Sequence, residues 1–177
     1  MSRRDRVRRM LPVVVGGLLL AGLAVPVTAF GIVPLFVRST VHEAAPTPRP
    51  NPPAAIEPSA SPVAPADSLA VLASGSLRRI SPVHYGSGQV LILASGIDRY
   101  LRFENVEIAG APNMYVYLSD RSDGQPGAFV DLGPLRATNG SFNYPLPAGL
   151  ELTNVRSVVV WCRAFTVTVT FAVLAAA

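Results

Sequence analysis

Cysteine is nearly missing from this sequence: Cys162 is the only one in 177 residues. A single thiol cannot close an internal disulfide, so any two-electron thiol cycle needs a second thiol from another chain. Histidine is almost as scarce, with two in the chain and one, His84, beyond residue 67. Zinc sites draw on several His and Cys, and a serine hydrolase needs a nucleophile elbow with its histidine; neither pattern is present. No Cys-x-x-Cys-His run exists to attach a haem, so His84 and Met114 read as a turn histidine and a core methionine rather than axial ligands. The stretch "SDRSDGQPG" holds Asp120, Asp123 and Gly124 but lacks the alternating ligands and closing Glu of a calcium loop, and reads as a hairpin loop. Glu104 and Glu107 have opposite strand parity, which argues against a facing glycosidase pair. No metal, no cofactor and no hydrolytic or transferase site is expected.

Lysine is absent altogether: all 15 basic residues are arginine, and five of them fall in "MSRRDRVRR" at the N-terminus. From Asp67 onward eight Arg balance eight Asp plus Glu, so this region is neutral and has no basic face with which to displace counterions from nucleic acid. After the arginines, Met10 to Val37 run for 28 positions without an ionisable residue, long enough to span a bilayer. The arginine flank stays cytoplasmic, so the expectation is a single-pass plasma-membrane protein with residues 1–9 inside, an anchor at 10–37 in the lipid bilayer and the remainder outside. Pro12, Pro26 and Pro34 fall near the ends of the run or kink it, which a span of this length tolerates. The rival is a cleaved signal peptide: Val27-Thr28-Ala29 has the small-x-small look of a processing site, and cleavage there would secrete the protein. Against it, the following "FGIVPLFV" is still apolar where a mature N-terminus usually turns polar.

Residues 38–67 form a second segment, with eight prolines between Pro46 and Pro65 mixed with Ala and Ser. Such a composition builds no core and predicts a disordered, polyproline-like spacer that lifts the next domain off the membrane; a docking site for a proline-reading domain is the alternative. Residues 68–177 are one domain's worth of chain. "QVLIL" (89–93), "YLRFENVEI" (100–108), "MYVYLS" (114–119), "SVVVWC" (157–162) and "FTVTVTFAVL" (165–174) are β-branched and aromatic, and turn-rich segments separate them. With no helical period between them, they predict an all-β domain, an antiparallel sandwich or barrel. In the last strand, alternation places Phe165, Val167, Val169 and Phe171 on one face, taken as core, with Trp161 joining them if the register is unbroken. Val158 and Val160 share the parity of Cys162, and a turn at Arg163-Ala164 could reset the pattern, so parity leaves the exposure of the thiol open.

Taken in order, "GSLRRISPVHYGSGQV", "LRFENVEIAGAPNMYVYLS", "DLGPLRATNGSFNYPLP" and "VVVWCRAF" followed by "FAVL" resemble the DM-thirteen domain family, often labelled "electron transfer". The resemblance covers nearly all of residues 73–174 and is carried most by Trp161-Cys162 on a late strand followed by Phe165. It implies a β-sandwich-like domain in a bacterial-type envelope protein, with Cys162 as the redox centre proposed for the family. Where family members often carry Phe-Gly in the last strand this chain has Val169-Thr170, so a glycine bulge is expected to be missing.

Three readings of Cys162 stand on the sequence: a small buried hydrophobe, a redox thiol beside Trp161 whose acidity Arg163 could raise, or a partner in an intermolecular disulfide. The domain is accordingly either a redox accessory module serving an unknown redox partner or a non-catalytic module that binds an envelope protein or glycan. The first needs a solvent-reachable Cys162. The second would use exposed loop aromatics, with Phe129, Phe142 and Tyr144 as candidates.

Overall fold

The computed structural model describes residues 38–47 and 69–177. The anchor expected at 10–37 and most of the proline-rich segment lie outside the described residues. Among the described residues no helix is long and apolar enough to cross a membrane.

The domain is all-β. Strands β1 (Thr40–His42), β2 (Leu69–Ser76), β3 (Gly86–Ser95), β4 (Asp98–Ile108), β5 (Met114–Ser119), β6 (Phe129–Pro134), β7 (Asn139–Pro145), β8 (Ser157–Cys162), β9 (Val167–Val173) and β10 (Ala175–Ala176) follow in chain order. They form a six-stranded sheet, β1-β7-β4-β3-β2-β10, and a four-stranded sheet, β6-β5-β8-β9. One buried apolar cluster draws on both sheets: Val90, Ile92, Leu101, Phe103 and Phe142 from the first, and Val116, Leu118, Val158, Val160 and Val169 from the second. The pairing is antiparallel except where β1 lies parallel to β7, Thr40 opposite Asn139 and His42 opposite Ser141.

β1 revises the domain boundary. Residues 38–47, assigned by composition to the spacer, belong to the folded unit that runs from Arg38 to Ala177. Several polar contacts hold them. Glu43 Oε2 accepts from the Asn143 backbone N–H at 2.9 Å, Arg136 Nη1 donates to Glu43 Oε1 at 2.8 Å, and the Ser39 N–H donates to Thr138 Oγ1 at 3.0 Å. Gly140, at φ 104°, leaves the room β1 needs, since a Cβ there would overlap the Val41 carbonyl oxygen.

Two bulges correct the parity arguments. Val160 pairs with Thr170 and Trp161 with Thr168, so Val169 is an extra residue in β9. The bulge expected to be missing for want of glycine is therefore present without one. On one side of it Val167 pairs with Cys162; on the other, Thr170 and Ala172 share the core face of Val160 and Val158 while Phe171 shares the opposite face with Val159. Only part of the expected core stripe is core. Trp161 and Phe171 face outward, and Phe165 leaves the strand for the turn, where it is 59% exposed. In β4 the register shifts between Phe103 and Val106, with Asn105 at φ 48°. Phe103 and Val106 both face the core, which places Glu104 and Glu107 on one outer face despite their parity.

Candidate functional site

The strand registers bring five segments to one end of the sandwich. Thr40, Asn139, Glu107 and Ser87 lie in one row across the first sheet, and Met114, Cys162 and Val167 in one row of the second. The chain therefore turns at this end in loops 77–85, 109–113, 135–138 and 163–166, with Arg38 leading into β1.

Cys162 closes β8 at this end and points inward. It is a free thiol, 0% exposed, within the apolar cluster that holds Val160 and Val169. Its Sγ–H donates to the Pro112 carbonyl oxygen, 3.1 Å away. A permanently exposed thiol, the condition set for redox chemistry by the sequence argument, is thus not what the fold provides. Backbone closes the site: the 109–113 connection supplies Pro112 and Asn113, and the Arg163 N–H of the 163–166 turn donates to the Asn113 carbonyl at 3.1 Å. Both segments hold a non-glycine residue in the left-handed region, Asn113 at φ 55° and Thr166 at φ 54°. Asparagine tolerates that conformation, whereas a β-branched threonine is strained in it.

Trp161 is not a pocket neighbour of the thiol. Successive strand residues alternate faces, and Trp161 lies on the outer face opposite Tyr115 and Thr168. There it lines a cleft of about 280 Å³ with Ile80, Gly124, Gln125, Thr168 and Phe171. Arg163 is engaged on the same outer face. Its guanidinium stacks 3.4 Å above the Tyr115 ring centroid, its Nε donates to Tyr117 Oη at 2.7 Å, and its Nη2 pairs with Asp131. The hydrogen bond to Tyr117 holds the guanidinium pKa above its ordinary value against desolvation, with Asp131 acting in the same direction as Tyr117. That charge is committed away from Cys162.

The other candidates separate. Phe142 and Tyr144, read as loop aromatics, are core residues of β7: Phe142 stacks on Phe103 at 4.9 Å, and Tyr144 meets both rings edge-on. Phe129 does reach solvent, stacked 4.1 Å from Tyr117. The His84 backbone closes a turn, its carbonyl accepting from the Ile80 and Ser81 N–H groups, and Met114 packs against the core beside Cys162. Glu104 is paired with Arg102 at 3.4 Å and Glu107 with Arg38 at 3.3 Å. Asp120 and Asp123 sit in the β5–β6 hairpin loop, where Asp123 binds Arg121 and the Gln125 N–H; these hydrogen bonds lower its pKa to about 2. That loop crosses the outer face of the second sheet, with the Gly124 carbonyl accepting from Thr168 Oγ1 at 2.6 Å. Among the described residues no three His, Cys, Asp or Glu converge to hold a metal.

The outer cluster of Tyr115, Tyr117, Phe129, Asp131 and Arg163 went unread in the sequence. Its signal was the Tyr-x-Tyr alternation of β5 opposite the inward Val116 and Leu118.

A family profile described as Electron transfer DM13 matches residues 80–174, which is 95 of the 177 residues. The chain belongs to this family. The match takes in β3 to β9, and with them Cys162 and the loops over it, and leaves β1, β2 and β10 outside. What docks β1 onto the DM13 domain is therefore built largely from residues inside the match, Thr138, Gly140 and Asn143, acting on a strand that precedes it. No curated protein and no solved structure matches the chain.

Proposed function

We propose that the chain is a redox-related module of the electron-transfer DM13 family, held on the outer face of the plasma membrane by residues 10–37, in which Cys162 is the exchanging thiol. The thiol meets its partner when the 109–113 connection and the 163–166 turn part. The observation that carries this reading is strained backbone at Thr166, in the turn that follows the buried free thiol of Cys162, since strain of this kind collects at sites that must open or react. Family membership supports the redox character, and the uncharged run after five arginines supports the tether.

The exchange is a thiol–disulfide step. Cys162 loses its proton and the thiolate attacks a disulfide of the partner; a mixed disulfide forms, the partner's S–S bond breaks, and the released partner thiolate takes up a proton. With one cysteine in this chain, net transfer needs a thiol of a further molecule to attack the partner's sulfur in the mixed disulfide and release Cys162, because attack by the partner's own freed thiolate only reverses the step.

Alkylation of the intact chain by a small thiol reagent tests this. Labelling should proceed while the protein stays folded, and Thr166→Gly, which removes the strain, should slow it several-fold. No labelling over hours, together with a Cys162→Ser variant that melts well below the parent, would mean that Cys162 is core packing. That outcome favours the second reading, a module that binds an envelope protein or glycan through the outward aromatic face where Phe129 lies on Tyr117. For the tether, carbonate should leave the chain in the membrane. A soluble chain beginning at Phe30 would instead report cleavage after Ala29.

A further inference from the structure

The end of the sandwich that holds Cys162 also carries exposed apolar side chains out of keeping with a solvated loop surface. Val83 is 70% exposed, at the tip of the Ser81–His84 turn, and Phe165 is 59% exposed in the β8–β9 turn. Ile80 joins them, sharing a cleft with Thr166, the neighbour of Phe165. Arg78 and Arg79 flank these residues. Each is exposed and laid over an aromatic ring, Phe171 and Tyr85, and neither pairs with a carboxylate among the described residues. Arg38, Arg136 and Arg163 belong to the same end and are each paired, with Glu107, Glu43 and Asp131, which leaves Arg78 and Arg79 as its cations without a carboxylate partner among the described residues. The opposite end, at the β3–β4 turn, the β5–β6 loop and the 146–156 connection, has Asp98, Asp120, Asp123 and Glu151 against Arg99, Arg121 and Arg156.

With residues 10–37 as the proposed tether, chain length sets which end is near the bilayer. β1 begins at Thr40, three residues past the last position of the uncharged run, and at about 3.6 Å per residue those three cover no more than about 11 Å. Because β1 is clasped to β7, the proline-rich residues that follow it cannot act as a stalk between membrane and domain. They form a connection between β1 and β2. We infer that this end of the sandwich rests on the phospholipid surface, with Val83, Ile80 and Phe165 in the headgroup region and Arg78 and Arg79 on anionic headgroups. Apolar tips with flanking cations are the chemistry that binds an interface of this kind. The inference rests on the tether proposed above and adds the orientation. It also places the loops over Cys162 against lipid, so that a partner must reach the thiol from the membrane plane.

The test uses the full chain reconstituted into vesicles of phosphatidylcholine with phosphatidylglycerol that carry a nitroxide-labelled lipid. A fluorophore is attached through Val83→Cys or, at the opposite tip, through Ile97→Cys, which is 99% exposed; the parent chain gives the background from Cys162. The label at 83 should be quenched several-fold more than the label at 97, and the gap should narrow in vesicles of phosphatidylcholine alone. A gap that does not narrow overturns the assignment of Arg78 and Arg79 to anionic headgroups. Equal quenching at the two sites in a chain that resists carbonate extraction overturns the orientation and leaves the tether standing. A chain that carbonate releases overturns both.

Discussion

Two aromatic clusters sit on the two sides of this sandwich and follow different rules. Inside, Phe103, Phe142 and Tyr144 pack ring against ring between the sheets, and the single hydroxyl is provided for: Tyr144 Oη donates to the Pro134 carbonyl at 3.0 Å and accepts from the Arg136 N–H at 2.9 Å. Outside, Tyr115, Tyr117 and Phe129 lie on the second sheet around a cation, Arg163; Tyr117 is covered, while Phe129 reaches solvent. The inner set draws its energy from removal of surface from water. The outer set buries less and adds stacking and charge that salt can screen. Aromatic content alone therefore does not say which cluster holds the fold.

The sharpest way to break this contrast is to truncate one ring from each side. Phe142→Ala should cost about 3–5 kcal/mol, enough to unfold much of a small domain, whereas Phe129→Ala, on the half-exposed outer ring stacked on Tyr117, should cost about 1 kcal/mol. Urea denaturation of the two variants measures it, and similar midpoints would mean that the sides have been confused. Next in size is Gly140→Ala, on the strand that carries the inner rings. A side chain in the left-handed region against Val41 should expel β1 at a cost of about 2 kcal/mol, read as faster amide exchange at residues 40–43 with the inner cluster intact.

The tyrosines sharpen the contrast through pH. Burial raises the Tyr144 pKa to about 12, against smaller opposing effects from the Arg136 N–H and charge. An unfolded tyrosine ionises near pH 10, so the contribution of Tyr144 is intact below pH 10 and is lost as the pH climbs from about 10 to 12. Tyr144→Phe, costing about 1 kcal/mol at neutral pH, should flatten that alkaline decline; an unchanged decline would place its origin elsewhere. The smallest effect belongs to the outer cluster. Arg163→Ala should lower the melting midpoint only slightly, and the difference should shrink in high salt, which a buried role for Arg163 would not allow.

Strand content was legible in the sequence because β-branched runs and turn residues mark strands locally. β5 and β8 fall at the residues expected, and β3, β4 and β9 lie within a few residues of their bounds. What failed was the assignment of faces. Parity tells which residues share a face only while the register is unbroken, and the bulges at Val169 and Asn105 break it. Phe142 and Tyr144 were misread because the Asn139-Gly140 pair has the look of a turn, when the glycine is there to admit another strand. β1 itself could not be seen. Its three residues precede a proline-rich stretch, and their partner is about a hundred positions away. At the candidate site, the Trp-Cys pair pointed to Cys162, but its burial rests on the Pro112 carbonyl and the Arg163–Asn113 hydrogen bond, which have no sequence signature of their own.

The parallel pairing of β1 with β7 also has a consequence for biosynthesis. Thr40 leaves the ribosome 99 residues before its partner Asn139. The first strand of the fold must therefore wait, uncovered, until most of the domain has been made. Its pairing closes a long loop, the kind of distant contact that slows folding. If residues 10–37 are in the bilayer by then, the domain completes its sheet at the place of insertion and cannot fold first and dock later. A chain freed of that segment should acquire the β1–β7 pairing more slowly than the inner core, in pulse-labelled amide exchange during refolding.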